Sequence, residues 1–206
     1  MWPLVGKVLV AVGTGLVIEY GDDVAKAVGD FFDNKPRTKL KPVTEESKLM
    51  ARETLAQVKA NGLPDFTESQ ARSLMAIASV CNVLKIFTID QRRAICMALW
   101  VNAWHESRLR THARNPKGED SRGLFQINVR AHPYWKKIDL YNPTKNTAAI
   151  LILALKQEKF VEAVNQGSLS KLVYVVCRYV ERPRNPHEAA LRRVKTAQAW
   201  FGKAAN

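Results

Sequence analysis

Cysteine is scarce in this 206-residue chain: Cys81, Cys96 and Cys177 each sit inside an apolar run, and none belongs to a Cys-x-x-Cys pair. An odd number so placed argues against a disulfide framework or a structural zinc site. The thiols read instead as small buried hydrophobes, which suits folding in a reducing cytoplasm even for a protein that acts outside it. Histidine is as sparse. His105, His112, His132 and His187 form no His-Glu-x-x-His and no paired spacing, so no metal site is expected. The glycine-rich loops that cradle phosphates are missing too, and nucleotide chemistry has no foothold. Acidic side chains are outnumbered, 19 against 32 Lys and Arg, for a formal net charge of +13. So cationic a chain points to an anionic partner: nucleic acid, acidic lipid headgroups or a polyanionic cell wall. The cations are spread along the chain, and charge alone does not choose among these. No internal repeat and no low-complexity tract occurs.

What is present divides into three parts. Residues 1–33 open with Trp2 to Ile18, apolar except for Lys7, Thr14 and glycines. This stretch is marginal against the roughly twenty apolar residues that span a bilayer. It is expected to be a hydrophobic helix, either membrane-interacting, an uncleaved targeting segment or simply buried; no small-x-small cleavage site follows it. Residues 34–43, Asn-Lys-Pro-Arg-Thr-Lys-Leu-Lys-Pro-Val, form a basic linker, since two prolines and four cations cannot support a buried element. Residues 44–206 read as one mainly α domain. Thr44 is placed to cap a helix through Ala60, and Thr67-x-x-Gln70 and Thr88-x-x-Gln91 are capping boxes opening two more. The third carries Ala94, Ile95, Ala98, Leu99, Asn102 and Glu106 at three-to-four spacing, which delivers Glu106 to its C-terminal end. From Ser107 to Pro143 the periodicity vanishes, as in a long loop or a small irregular sheet. Thr144 to Phe160 is the most apolar segment and is expected to be the central buried helix. Helices over Ser168–Val180 and His187–Phe201 complete the bundle.

Trp104 to Asn128 is the most informative stretch. Glu106 closes an apolar helical run and is followed by Ser107, although a negative charge is unfavourable at a helix C-terminus. Further on, Asp120-Ser121-Arg122 introduces Gly123-Leu124-Phe125-Gln126-Ile127-Asn128. These two halves, in this order and at this spacing, resemble the lysozyme-like superfamily, in particular soluble lytic transglycosylases and goose-type lysozymes. The resemblance covers about residues 70 to 202. It implies a lysozyme-like helical bundle with a small irregular β region at the cleft. It also implies an acid/base role for Glu106 in cleaving the β-1,4 MurNAc–GlcNAc bond of peptidoglycan glycan strands, without a cofactor. Such an acid serves at neutral pH if apolar surroundings raise its pKa, and Leu99, Trp100, Trp104 and Leu109 are expected to supply them.

The same resemblance implies sugar contacts for Ser107, Gly123, Leu124, Phe125, Gln126 and Asn128. Leu124 and Ile127 are expected to be core as well, with Gln126 and Asn128 facing the cleft. Most glycosidases use two carboxylates, and Asp120 is the candidate for the second, with Glu119 and Glu181 behind it. Asn128 stands where the goose-type pattern has another carboxylate. That departure favours lytic transglycosylation, in which one glutamate acts first as acid and then as base while the sugar's own 6-hydroxyl attacks. Hydrolysis (a muramidase) and peptide-bridge cleavage are the alternatives on this fold. The family's later Tyr-Asn-Ala-Gly is missing. Val173 to Glu181 occupies its place, making Tyr179 and Glu181 cleft candidates, and Glu181-Arg182-Pro183 resembles a triplet of phage tail lysozymes. This suggests a phage virion protein acting in the bacterial envelope, with other virion proteins as further partners. A basic, membrane-tethered structural or nucleic-acid-binding protein is the non-enzymatic rival, with nucleic acid the weaker of its partners. Asn142-Pro143 with Asn146 reads as a structural helix start.

Overall fold

The computed structural model describes residues 9–12, 16–19, 44–61, 65–115, 119–181 and 183–202. Seven helices make up most of it, and local chemistry accounts for their starts. In α1 (Glu45–Ala60), Thr44 Oγ1 accepts the Ser47 N–H, Glu45 and Glu46 occupy the first turn and Lys59 the last, each charge matching the helix dipole. Both capping boxes form as the spacing predicts. Thr67 and Gln70 open α2 (Glu68–Asn82), and Thr88 and Gln91 open α3 (Ile89–Ser107), each side chain satisfying the other's free backbone N–H. In α4 (Pro143–Leu155), Pro143 takes the first position, where no N–H is needed, and Asn142 accepts from the N–H groups of Thr144 and Lys145. After α4 come α5 (Glu158–Asn165) and α6 (Leu169–Val175), then a π-helical turn over Val176–Glu181, and finally α7 (Pro186–Phe201).

Between α3 and α4 lies the irregular region, a small antiparallel sheet in the order β3 (Arg114–Asn115), β4 (Ser121–Arg122), β5 (Ile127–Asn128). Arg114 pairs with Arg122 and Ser121 with Asn128, and a 3-10 turn, Pro133–Lys137, leads on toward α4. The fold is mainly α, as expected.

Three expectations need correction. First, the centre of the bundle is α3. It packs against α2, α5, α6, α7 and the π-helical turn, and Ile95, Cys96, Ala98, Leu99, Trp100, Val101, Asn102 and Ala103 are all buried. Its polar residues disguised this in the sequence. Arg92 is buried because its Nη1 donates to the Asn82 backbone and side-chain oxygens, and Asn102 Nδ2 donates to Ala98 O. Second, the apolar helix α4 stops at Leu155, and Phe160 belongs to the separate α5. Third, the final turns before Glu181 widen into a π-helix, which changes the facing of every side chain after Val175 relative to a 3.6-residue repeat.

The expected N-terminal hydrophobic helix is also replaced where residues are described. β1 (Leu9–Val12) and β2 (Leu16–Glu19) form an antiparallel pair, Leu9 opposite Glu19 and Val12 opposite Leu16. Their Val and Ile content favours strands. The rest of residues 1–33 and the linker at 34–43 lie outside the described residues, as do the expectations attached to them. Among the described residues no helix is long and apolar enough to cross a membrane.

Candidate active site

Glu106 reaches its position because α3 ends abruptly. Arg108 and Leu109 both adopt left-handed backbone, φ 55° and 61°, and the chain leaves the helix at once. Leu109 is fully buried, and its carbonyl accepts from Ser73 Oγ at 3.0 Å, while Gln70 Nε2 donates to Arg108 O at 3.1 Å. Two residues of α2 thus fix the end of α3, and with it the carboxylate.

A cleft of about 350 Å³ opens in front of Glu106, within the size range of small-ligand sites. Asn115, Glu119, Ser121, Gln126 and Asn128 line it from the sheet region, and Val180, Glu181 and Arg184 from the π-helical turn and the residues after it. Phe125, Ile127, Ile150 and Leu153 supply its apolar surface. The Gly123–Asn128 segment is held against the bundle by one side chain. Asn146 is fully buried, its Oδ1 accepts from Phe125 N at 2.9 Å, and its Nδ2 donates to Arg122 O and Leu140 O at 3.1 and 3.0 Å. Gly123 has to be glycine: φ is +77°, and a Cβ would lie 2.1 Å from Leu140 O and 2.3 Å from Asn146 Nδ2. Asn146→Ala removes all three bonds and is expected to cost about 2–4 kcal/mol in urea unfolding, since buried polar groups are left unpaired. A cost below about 1 kcal/mol would mean that the segment is held by its apolar contacts instead.

The surroundings of Glu106 differ from the expected apolar ones. Leu99, Trp100 and Leu109 are fully buried in the core, and Trp104 packs edge-on against Phe66 and Trp200. Trp104 and Trp100, two and six residues before Glu106, point to other sides of α3, whereas Leu99 shares its stripe but lies two turns further back in the core. What faces Glu106 is charge. Arg193 of α7 donates through Nη2 to Glu106 Oε1 and through Nη1 to Glu181 Oε2 and, at 2.7 Å, to Asn102 Oδ1. The side chains of Arg193 and Glu181 are 5% and 3% exposed, while that of Glu106 is 20% exposed, the most open of the three. Burial pushes the Glu181 carboxyl up to about 8, Arg193 opposing and Glu106 adding to the rise. Two neighbours are neutral near pH 7: burial lifts the Cys177 thiol to about 12, and burial with Arg193, Arg108 and Arg192 lowers His105 to about 4.

The raised Glu181 has a consequence for stability. A carboxyl whose folded pKa lies above its unfolded value binds the proton more tightly when folded, so stability falls as pH rises between the two values. Here the window runs from about 4.5 to about 8. Glu181→Gln removes this linkage. Its melting temperature relative to the parent chain should therefore rise from pH 5 to pH 8. A difference that stays flat with pH would show that Glu181 is not held protonated.

The remaining expected residues fall into four groups. Phe125, Gln126, Asn128 and Glu181 line the cleft with Glu106. Gln126 uses its amide nitrogen on Ala113 O and Gly123 O, and Asn128 Oδ1 accepts from the N–H groups of Arg130 and Ala131. Ser107, Gly123 and Leu124 are framework. Ser107 Oγ donates back to Ala103 O within its own helix, and Leu124 is fully buried. Tyr179 lines a separate groove with Lys159, Tyr174 and Leu191, its hydroxyl accepting from Lys159 Nζ at 3.0 Å. Asp120 does not line the cleft. Arg122 and Arg114 bracket its carboxylate and hold it down at about 2, so it locks β3 to β4. Its neighbour Glu119 is the residue of this loop that reaches the cleft.

Sequence reasoning missed Arg193. The signal existed: Ala189, Ala190, Arg193, Ala197 and Trp200 form the buried stripe of α7, and a cation on such a stripe calls for a buried anion.

Residues 87–157 match the family model of a lysozyme-like domain. The matched stretch includes all of α3, the three-stranded sheet and α4, so it contains Glu106, Gln126, Asn128 and Asn146. It supports the lysozyme-like superfamily and, with it, a glycosidase-type enzyme acting on peptidoglycan. Comparisons with curated proteins and with solved structures gave no match.

Proposed function

We propose that this protein cleaves the β-1,4 MurNAc–GlcNAc bond of peptidoglycan by lytic transglycosylation, with Glu106 as the single acid/base. The observation that carries this reading is the partly exposed Glu106 at the end of α3, facing a cleft whose other wall is the Gly123–Asn128 segment, inside the stretch that matches the lysozyme-like domain. A glycosidic oxygen in that cleft would take its proton as the C1–O bond breaks, and the same carboxylate would then accept the proton of the attacking hydroxyl. The choice of the sugar's 6-hydroxyl over water rests on the carboxylates. Asp120 is bracketed by two arginines away from the cleft, and position 128 is an amide.

One observation favours a second reading. Glu119 lines the cleft and is exposed, where it could activate water for hydrolysis. Mass spectrometry of digested murein separates the possibilities. The proposal expects 1,6-anhydro ends, reducing ends would mean a muramidase, and free peptides an endopeptidase. As the biological setting we propose a phage virion protein that opens the wall locally. The Glu181-Arg182-Pro183 triplet supports this, and detection of the protein in purified virions tests it.

A further inference from the structure

We propose that Glu181 is a positioning residue for the acid: Arg193 brackets Glu106 and Glu181 so that the two carboxyls hold one proton between them, and Glu106 meets its substrate already loaded. The catalytic half of this inference rests on the glycosidase reading above; the shared proton does not.

Charge counting within the cluster comes first. One guanidinium faces two carboxyls, Nη2 on Glu106 and Nη1 on Glu181. If both were ionised, the group would carry a net negative charge where Glu181 is almost fully buried. One retained proton makes it neutral, which burial favours strongly. The hydrogen bonds point the same way. Among the described residues, no hydrogen-bond partner reaches the buried Glu181 Oε1. An ionised carboxylate would leave that acceptor unsatisfied, whereas a proton placed there turns it into a donor, and the nearby charge of Glu106 favours that protonated form.

Among the described residues, Arg193 is the ion-pair partner of both carboxyls, and the other neighbours stand around this cluster. From α3 come Asn102, which is neutral, and His105, neutral near pH 7. The π-helical turn adds the un-ionised thiol of Cys177, and α7 adds the more exposed Arg192. From α4 the cleft receives Ile150 and Leu153, while Arg184 and Glu119 stand at its lining. Lys171 and Tyr174 of α6 line the separate groove.

The reaction balances on this cluster. Glu106 passes the shared proton to the glycosidic oxygen as that oxygen takes the C1–O electron pair. Both carboxyls are then ionised against Arg193, and their mutual repulsion makes the pair a stronger base for the incoming hydroxyl proton. Taking that proton restores the resting state. Two carboxyls and a cation thus tune one acid/base, with Glu106, the more exposed carboxyl, handing over the proton.

The experiment has two arms, both on the full chain with Glu106→Gln, Glu181→Gln and Glu181→Met variants. Infrared titration without substrate reads protonated carboxyl groups directly. The parent chain should hold one at pH 7 and lose it near pH 8, and every variant should have lost it by pH 7. No such signal at pH 7 in the parent, or an unchanged one in both Glu181 variants, overturns the shared proton whatever the substrate proves to be. The second arm follows murein cleavage against pH. In Glu181→Gln and Glu181→Met the alkaline limb should move at least one unit toward acid, with a tenfold or greater loss at pH 7.5 that is largely recovered near pH 5. An even loss at all pH values, with the limb in place, would make Glu181 merely structural and overturn its positioning role. A parent chain inert on murein at every pH would count against the glycosidase reading, leaving the infrared arm to decide the proton.

Discussion

Glu106→Gln is expected to lower murein cleavage by roughly a hundredfold or more, because general acid–base catalysis by one positioned group contributes at least that much. The fold should survive. Glutamine keeps the shape, and its amide oxygen can still accept from Arg193 Nη2, the bond that Glu106 Oε1 makes now. The side chain sits at the mouth of the cleft, 20% exposed, so no core contact is lost. Dye release from labelled murein measures the rate, and circular dichroism checks the fold. Activity above about a tenth of the parent would remove Glu106 from the chemistry.

Arg193→Met should have the largest effect on stability, about 3–5 kcal/mol at alkaline pH above about 8, where Glu181 ionises, the usual cost of breaking a buried ion pair from one side. Arg193 contacts α3 through Asn102 and Glu106 and the π-helical turn through Glu181. Its loss leaves Glu181 buried with nothing to balance its charge. Protonation relieves that charge, so the cost should shrink toward pH 5. Adding Glu181→Leu to Arg193→Met should recover much of the loss, since an apolar pair of similar volume needs no counter-charge. Urea unfolding at pH 5 and pH 9 measures each effect. A loss of the same size at both pH values, unrelieved by the second substitution, would mean that Arg193 matters through packing rather than through charge.

Much of the helical framework was legible locally. Thr44, Thr67, Thr88 and Asn142 each announced a helix start, because an N-cap bond involves only residues two or three apart. The end of α3 at Glu106 and Ser107 was legible for a related reason: apolar spacing carries the helix to that point, and no glycine or proline breaks it earlier. The N-terminal segment went the other way. Its apolar residues fitted a helix and a strand alike, and the pairing of Leu9–Val12 with Leu16–Glu19 depends on a partner strand that a hydropathy pattern does not reveal.

The site shows the same division more sharply. The sequence by itself determined that one glutamate would close α3 and that Gly123–Asn128 would follow as a compact, half-apolar segment, since both are matters of local spacing. Tertiary structure decided everything about how that glutamate is surrounded. It turned Trp104 toward Phe66 and Trp200 and tied Asp120 to Arg114 and Arg122. It also brought Arg193 and Glu181, each more than seventy residues downstream, against Glu106. The reason is physical. A cap or a turn is satisfied within one turn of chain, whereas a buried charge must be balanced by whatever side chain the packing of distant helices delivers to it.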